Sequence, residues 1–220
     1  VVKLPTTGYD TAILKFRESH RTVRQFAPAD DCPVNVSWYS AAAYCNWLSY
    51  LEGIPRAEWC YAANEEGEFA VGMKVRPNHL RLTGYRLPTE TEWEFACRAG
   101  AETSRSFGQT EELLGKYAWY TKNSLDRQML PTGSLKPNDL GVFDMLGNAS
   151  EWCQDPMTTH GDGDDELWHD TKQVVNESPT RAARGGSFSS QMWNVRCGTR
   201  VFLVPGTRFT VGFRPARTIR

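Results

Sequence analysis

No run of apolar residues in this 220-residue chain approaches the roughly 18 that a helix needs to span a bilayer. A basic block is missing too. The 25 Lys and Arg stand against 26 Asp and Glu for a net charge of −1, which argues against a nucleic-acid binder. The N-terminal stretch VVKLPTTGYDTAILKF lacks the charged head, apolar run and cleavage site of a secretion signal. That favours the cytoplasm slightly, and it is also how a cut edge of a longer polypeptide would read. Six cysteines are too sparse for a disulfide scaffold, none lies in CxxC, and their spacings match no zinc ribbon or finger. No repeat of fixed period is visible.

What the chain does have is 8 Trp and 18 Gly, a mixture expected of a loop-rich fold in which large aromatics hold irregular segments together. Its length allows a single domain of residues 1–220 with ample core. Within it, 1–33 is poorly patterned, with Pro28, Pro33 and Asp30-Asp31 marking loop. A helix is predicted after Ser37, a plausible N-cap, because Ala41, Tyr44, Cys45 and Leu48 share one face; Gly53 and Pro55 stop it. Residues 52–81 read as loop with a short hairpin, and Glu65, Glu66 and Glu68 as a solvated rim rather than a metal site.

The clearest local signal is GYRLPTETEWEFACRAG, from Gly84 to Gly100. Thr89 and Glu92 form a capping box, Pro88 blocks backward extension, and Trp93, Ala96 and Cys97 share a face. Glu90, Glu92 and Glu94 are in the first turns for the helix dipole; paired catalytic acids are the weaker reading. Residues 137–155 carry turns at Pro137-Asn138 and Gly147-Asn148 around short strands, with Trp152 directed to the core. The polar stretch 156–180 reads as an exposed insert. Its HGDGDD sequence is a loose calcium-loop look-alike without EF-hand spacing or a closing bidentate Glu. Short elements punctuated by Gly and Pro give an α+β fold with two main helices and much irregular loop.

The last stretch, 184–217, has two stiff ends, Arg184-Gly185-Gly186-Ser187-Phe188 and Val211-Gly212-Phe213-Arg214, around a mixed middle. Paired glycines let backbone approach backbone, and Phe188 and Phe213 have the character of core anchors. The middle supplies candidate ligand-binding residues: Ser189, Ser190, Gln191, Met192, Trp193, Asn194, Val201, Phe202, Leu203, Val204, Thr207, Phe209 and Thr210. Val201 to Val204 is either an exposed adhesive run or a buried strand.

Four stretches in order carry a family resemblance: Val36-Ser37-Trp38 leading to AAAYCNW, the Gly84–Gly100 motif, GVFDMLGNASEW, and RGGSF with the terminal VGFRPAR. The chain resembles the formylglycine-generating enzyme (sulfatase-modifying factor) domain. The resemblance implies a variant of the C-type-lectin fold. In the family's enzymes two cysteines hold Cu(I), as soft thiolates should. The matching positions here are Ser190 and Val195, so the resemblance implies no copper and no oxidase chemistry. It also implies that Cys97 and Cys197 match a disulfide pair, which here is either bonded or two buried thiols, and that Cys45 is free and buried because Pro215 stands near its partner's position. Asn148 and Glu151 match part of a structural calcium site, and Asn123 matches part of a second, whose following loop is too short here to complete the cage.

Three readings from different classes follow. One is a non-catalytic binding scaffold with an unidentified protein or other ligand on its C-terminal surface. The frame RGGSF…VRCGTR…VGFR is similar to variable proteins of diversity-generating retroelements, and CNWLS and LGVFDMLGN are similar to copies fused to bacterial signalling kinases, which implies further domains. A second is an oxidase using another cysteine such as Cys197. A third, an iron-dependent sulfoxide-forming oxygenase, needs three histidines, whereas His20, His79, His160 and His169 lie in no paired spacing.

Overall fold

Ser37 begins the first helix as expected: α1 runs Trp38–Leu51, and the Ser37 hydroxyl accepts the Ser40 N–H at 3.2 Å. The computed structural model describes residues 31–124, 128–157, 174–176 and 180–220. His20, His160, His169 and the HGDGDD stretch therefore lie outside the described residues. The second helix, α2 (Glu90–Arg98), opens with the predicted capping box, Thr89 accepting from Glu92 N at 3.1 Å and Glu92 accepting from Thr89 N at 2.9 Å. It ends at Ala99 and Gly100, both at positive φ, a conformation that glycine adopts freely and alanine does not. A short third helix, α3, spans Leu114–Tyr117.

The strands are short. The expected hairpin is β1 (Tyr61–Ala62) with β2 (Met73–Val75), and Tyr85–Arg86 forms β3. Ala118–Trp119 (β4) runs parallel to Leu146–Gly147 (β5). Next come β6 (Ser150–Pro156), β7 (Val174–Val175), β8 (Arg181–Arg184), β9 (Arg200–Leu203), β10 (Val211–Gly212) and β11 (Ala216–Arg217). The main sheet has the order β10-β6-β8-β9, which puts β9 on an edge. One expectation needs correcting. The 156–180 stretch is not wholly an exposed insert, because β7 pairs with β2 and Val175 is buried in the core.

Two apolar clusters lie on either side of this sheet's strands. The first gathers Trp38, Trp152, Tyr61, Met73, Leu87 and Val175; the second gathers Trp93, Cys97, Leu114, Leu146, Val195 and Cys197. A buried Trp contributes roughly 4–6 kcal/mol by area, an upper bound since unfolded chains hide some of it. Each ring must also satisfy its indole N–H. Trp38 donates to Cys153 O at 2.9 Å and Trp152 to Val36 O at 2.8 Å, so the aromatics join segments more than a hundred residues apart. Gly147 shows how close the backbones come: at φ 73° a Cβ there would stand 2.2 Å from the Trp119 carbonyl oxygen.

Candidate functional site

The C-terminal frame is buried and densely bonded. Arg184 on β8 donates to Glu90 at 3.2 Å, to the Cys197 carbonyl at 2.9 Å, and to Glu94. Arg200 on β9 grips Glu90 with two N–H groups at 2.6 and 2.5 Å. Glu90 and Glu94 of α2 are thus counter-ions of the frame, more than helix-dipole partners, while Glu92 pairs with Arg86 on β3. Burial would raise the Glu92 and Glu94 carboxyls, but hydrogen bonds from Arg86 and Thr89 to the first, and from Arg98 and Arg184 to the second, bring both below the usual range. Gly185 and Gly186 take positive φ, and the turn closes when the Ser187 N–H donates to Ser190 Oγ at 2.9 Å. Phe188 is buried, its N–H on Asn148 O at 2.8 Å.

Beyond this turn the side chains separate into two kinds. Ser189, Gln191 and Asn194 are exposed, as is Trp193, in a 3-10 turn at Met192–Asn194. Underneath, Arg105 donates to Met192 O at 2.7 Å, Val195 O at 2.9 Å and Gln109 O at 2.8 Å. This buried guanidinium, whose pKa desolvation lowers, sets the height of the loop; no sequence pattern had marked it. Strand β9 is neither a buried strand nor a wholly exposed run. Val201 and Val204 are 40% and 46% exposed, while Phe202 and Leu203 pack against the second and first clusters respectively. Trp193 and Phe209, 55% and 56% exposed, are the large rings of this stretch that face outward. Other candidates serve the frame instead. Ser190 closes the turn with its hydroxyl, Met192 packs on the second cluster, and Thr207 N bonds Val204 O at 2.8 Å. Thr210 sits at φ 55° and accepts the Ser150 N–H at 3.0 Å.

The two positions at which the resemblance puts copper thiolates do not fit that ion. The Ser190 hydroxyl is hydrogen-bonded within its turn, and Val195 is a hydrocarbon side chain sealed in the second cluster. Cys97 and Cys197 do come together, as buried free thiols with sulfurs 2.9 Å apart. The bond to Cys197, with burial, pushes the Cys97 thiol far up; the same bond lowers Cys197 despite its burial. Cys45 is free and buried, as the resemblance implied.

The calcium candidates are placed apart in function. Asn148, at φ 59°, clamps Leu130, accepting its N–H at 3.0 Å and donating to its carbonyl at 2.9 Å. Glu151 accepts the Trp93 indole N–H at 2.7 Å and two Arg214 N–H groups at 2.6 and 2.5 Å. Asn123 accepts the Tyr120 N–H at 2.8 Å and donates to Ala118 O at 3.0 Å. These oxygens are engaged by N–H donors, and among the described residues no three His, Cys, Asp or Glu side chains gather to hold a metal. As placed, the set does not fit a calcium ion. Glu65, Glu66 and Glu68 are exposed, as a solvated rim should be, and His79 is buried away from any such group. No helix among the described residues is long and apolar enough to cross a membrane.

Residues 4–219 match the family model of the Sulfatase-modifying factor enzyme 1-like domain. Formylglycine-generating enzyme of Bos taurus is 28% identical over 208 residues, 84% of this chain and 44% of that protein. Serine/threonine-protein kinase pkn1 of Chlamydia pneumoniae is 28% identical over 211 residues, 92% of this chain and 26% of the kinase. The chain thus spans less than half the length of either relative. Among solved structures, Treponema denticola variable protein 1 superposes with a TM-score of 0.70 at 31% identity, over 87% of this chain and 74% of that one. The C-type-lectin-like α+β architecture of the sulfatase-modifying-factor class is therefore the fold of this chain.

Proposed function

The chain belongs to the sulfatase-modifying factor enzyme 1-like domain family, and from that premise we propose that it is a non-catalytic member, a scaffold that binds a ligand through its 189–210 surface. The observation that carries this reading is the substitution of a turn-closing serine and a core valine, Ser190 and Val195, at the positions the resemblance assigns to two thiolates. Neither side chain grips a cuprous ion. What the segment offers in their place is outward Trp193, Val201, Val204 and Phe209 above buried Val195 and Cys197. Trp and Arg anchors dominate the energy of most interfaces.

Charge supports a ligand with acidic groups. From Arg184 to the end of the chain there are seven arginines and no acidic side chain. Arg184, Arg200, Arg214 and Arg217 are paired with carboxylates, whereas exposed Arg196 and Arg208 have none among the described residues. The likeness to a variable protein supports the finer reading that 189–194, 201–204 and 207–210 are diversified by a retroelement. The likeness to a kinase supports use as an interaction module within a longer polypeptide.

The test of the scaffold reading is chemical. The protein is titrated with Cu(I) against a competing chelator and offered a CxPxR peptide under oxygen. The expected result is no tight stoichiometric copper and no aldehyde. One equivalent held tightly, with conversion of the peptide thiol, would overturn the reading in favour of an oxidase. Screening against arrayed proteins and glycans should give hits that Trp193→Ala and Phe209→Ala abolish together. A reverse transcriptase gene beside this one, with a near-copy of codons 187–214, decides the retroelement question.

A further inference from the structure

Away from the 189–210 surface, and sharing no residue with it, lies a cavity of about 730 Å³. That is the size of a small-molecule site. Its walls are mostly apolar: Val34 and Val36 ahead of α1, Tyr44 on α1, Ala149, and the rings of Phe143 and Phe213. Tyr44 and Phe213 meet edge to face with centroids 5.2 Å apart, so the two rings form a stable aromatic corner.

The charged side chains in this cavity are three, and two of them cancel. Arg214 is held by both oxygens of Glu151 and also donates to Phe143 O at 3.1 Å, so its charge is already committed. The remaining titratable groups are neutral: the Cys32 thiol donates to Met129 O, and burial raises the Tyr44 phenol. Asp144 is different. It stands at φ 55° with Oδ2 accepting the Gly133 N–H at 2.6 Å, and Oδ1 accepts no hydrogen bond from the described residues. Half-buried and beside an internally neutral pair, it leaves the cavity with one uncompensated negative charge among aromatic rings. Desolvation raises its carboxyl pKa, and the Gly133 N–H and the nearby Arg214 charge, itself bonded to Glu151, do not offset that rise.

We propose that the cavity is a binding site for a small organic cation, an ammonium carried on an apolar body, with the nitrogen on Asp144 and the body against Phe143, Tyr44 and Phe213. An ammonium supplies the missing counter-charge and gains from ring faces nearby. A carboxylate ligand would meet Asp144 and find Arg214 already paired. A neutral apolar ligand would strip water from the carboxylate without replacing it.

Calorimetry on the full chain with 4-phenylbutylammonium, 4-phenylbutanol and 4-phenylbutyrate tests this at neutral pH. The ammonium is expected to bind about tenfold or more tighter than the alcohol, with the carboxylate weakest. Asp144→Asn should reduce the ammonium to the level of the alcohol. Asparagine tolerates positive φ and can still accept the Gly133 N–H, so an unchanged unfolding temperature would show that the variant folds. Phe143→Ala, on the exposed wall, should weaken ammonium and alcohol together. Equal affinities for the three probes, no binding of any, or ammonium binding untouched by Asp144→Asn would overturn the proposal.

Discussion

Residues 184–188 and 211–214 differ from the stretch between them in what their side chains touch. In the frame, Arg184 is buried on two carboxylates and a carbonyl, Phe188 is buried, and Arg214 lies on Glu151. In the intervening stretch Gln191, Trp193, Val201, Arg208 and Phe209 face outward. On the proposed function, stability and recognition fall to different residues. A change in the outward set leaves the ion pairs of α2 and the sheet intact, whereas a change in the frame exposes or orphans a charge.

The comparison is broken most severely at Glu151→Ala. It leaves the Trp93 indole N–H and the Arg214 guanidinium without their acceptor, and is expected to cost about 3 kcal/mol in urea unfolding. A loss under about 1 kcal/mol would mean that the frame does not depend on this pair. Glu90→Gln weakens the grip on Arg184 and Arg200 but keeps an acceptor, with an expected cost of about 1–2 kcal/mol. If it costs nothing, β9 is held by packing on Phe202 and Leu203 alone.

A smaller loss is expected on acidification. The Glu92 and Glu94 carboxyls titrate lower in the folded chain than in the unfolded one. Their contribution is present above the unfolded carboxylate range and disappears as pH falls through the depressed folded values. Denaturant midpoints measured down to pH 3 should fall, and Glu92→Gln should flatten the slope; a slope unchanged by that substitution would assign the acid sensitivity elsewhere.

Thr210→Asn sharpens the boundary between the two sets from the other direction. A β-branched residue at positive φ is strained, so asparagine is expected to stabilise the chain by roughly 1 kcal/mol. A neutral or harmful result would show that the threonine side chain makes up for its backbone. The smallest effect on folding should come from Trp193→Ala and Phe209→Ala, each within about 0.5 kcal/mol of the parent by denaturant unfolding. A drop of 2 kcal/mol at either would place that ring in the core.

Much of the scaffold was legible because its signals are local. The cap at Ser37, the Thr89–Glu92 box, the turn at Gly147 and Asn148, and the large Trp152 ring each follow from a few adjacent residues. The candidate site was legible only as a segment. Which of its residues point outward depended on the register of β9 against β8 and on Arg105, a guanidinium ninety residues from the loop carbonyl that it holds. Val174-Val175 looked like part of an insert because its strand partner, β2, is a hundred residues earlier.

The order of residues alone determined where helices begin, which rings must be buried, and that sulfur is missing from two positions where the family resemblance looks for it. Tertiary structure decided which carboxylate neutralises which arginine, that β9 lies at a sheet edge, and that Asp144 is left over in an apolar cavity. The physical reason is range: capping and turn chemistry act over a few residues, while burial and charge pairing depend on neighbours that only the folded chain brings together.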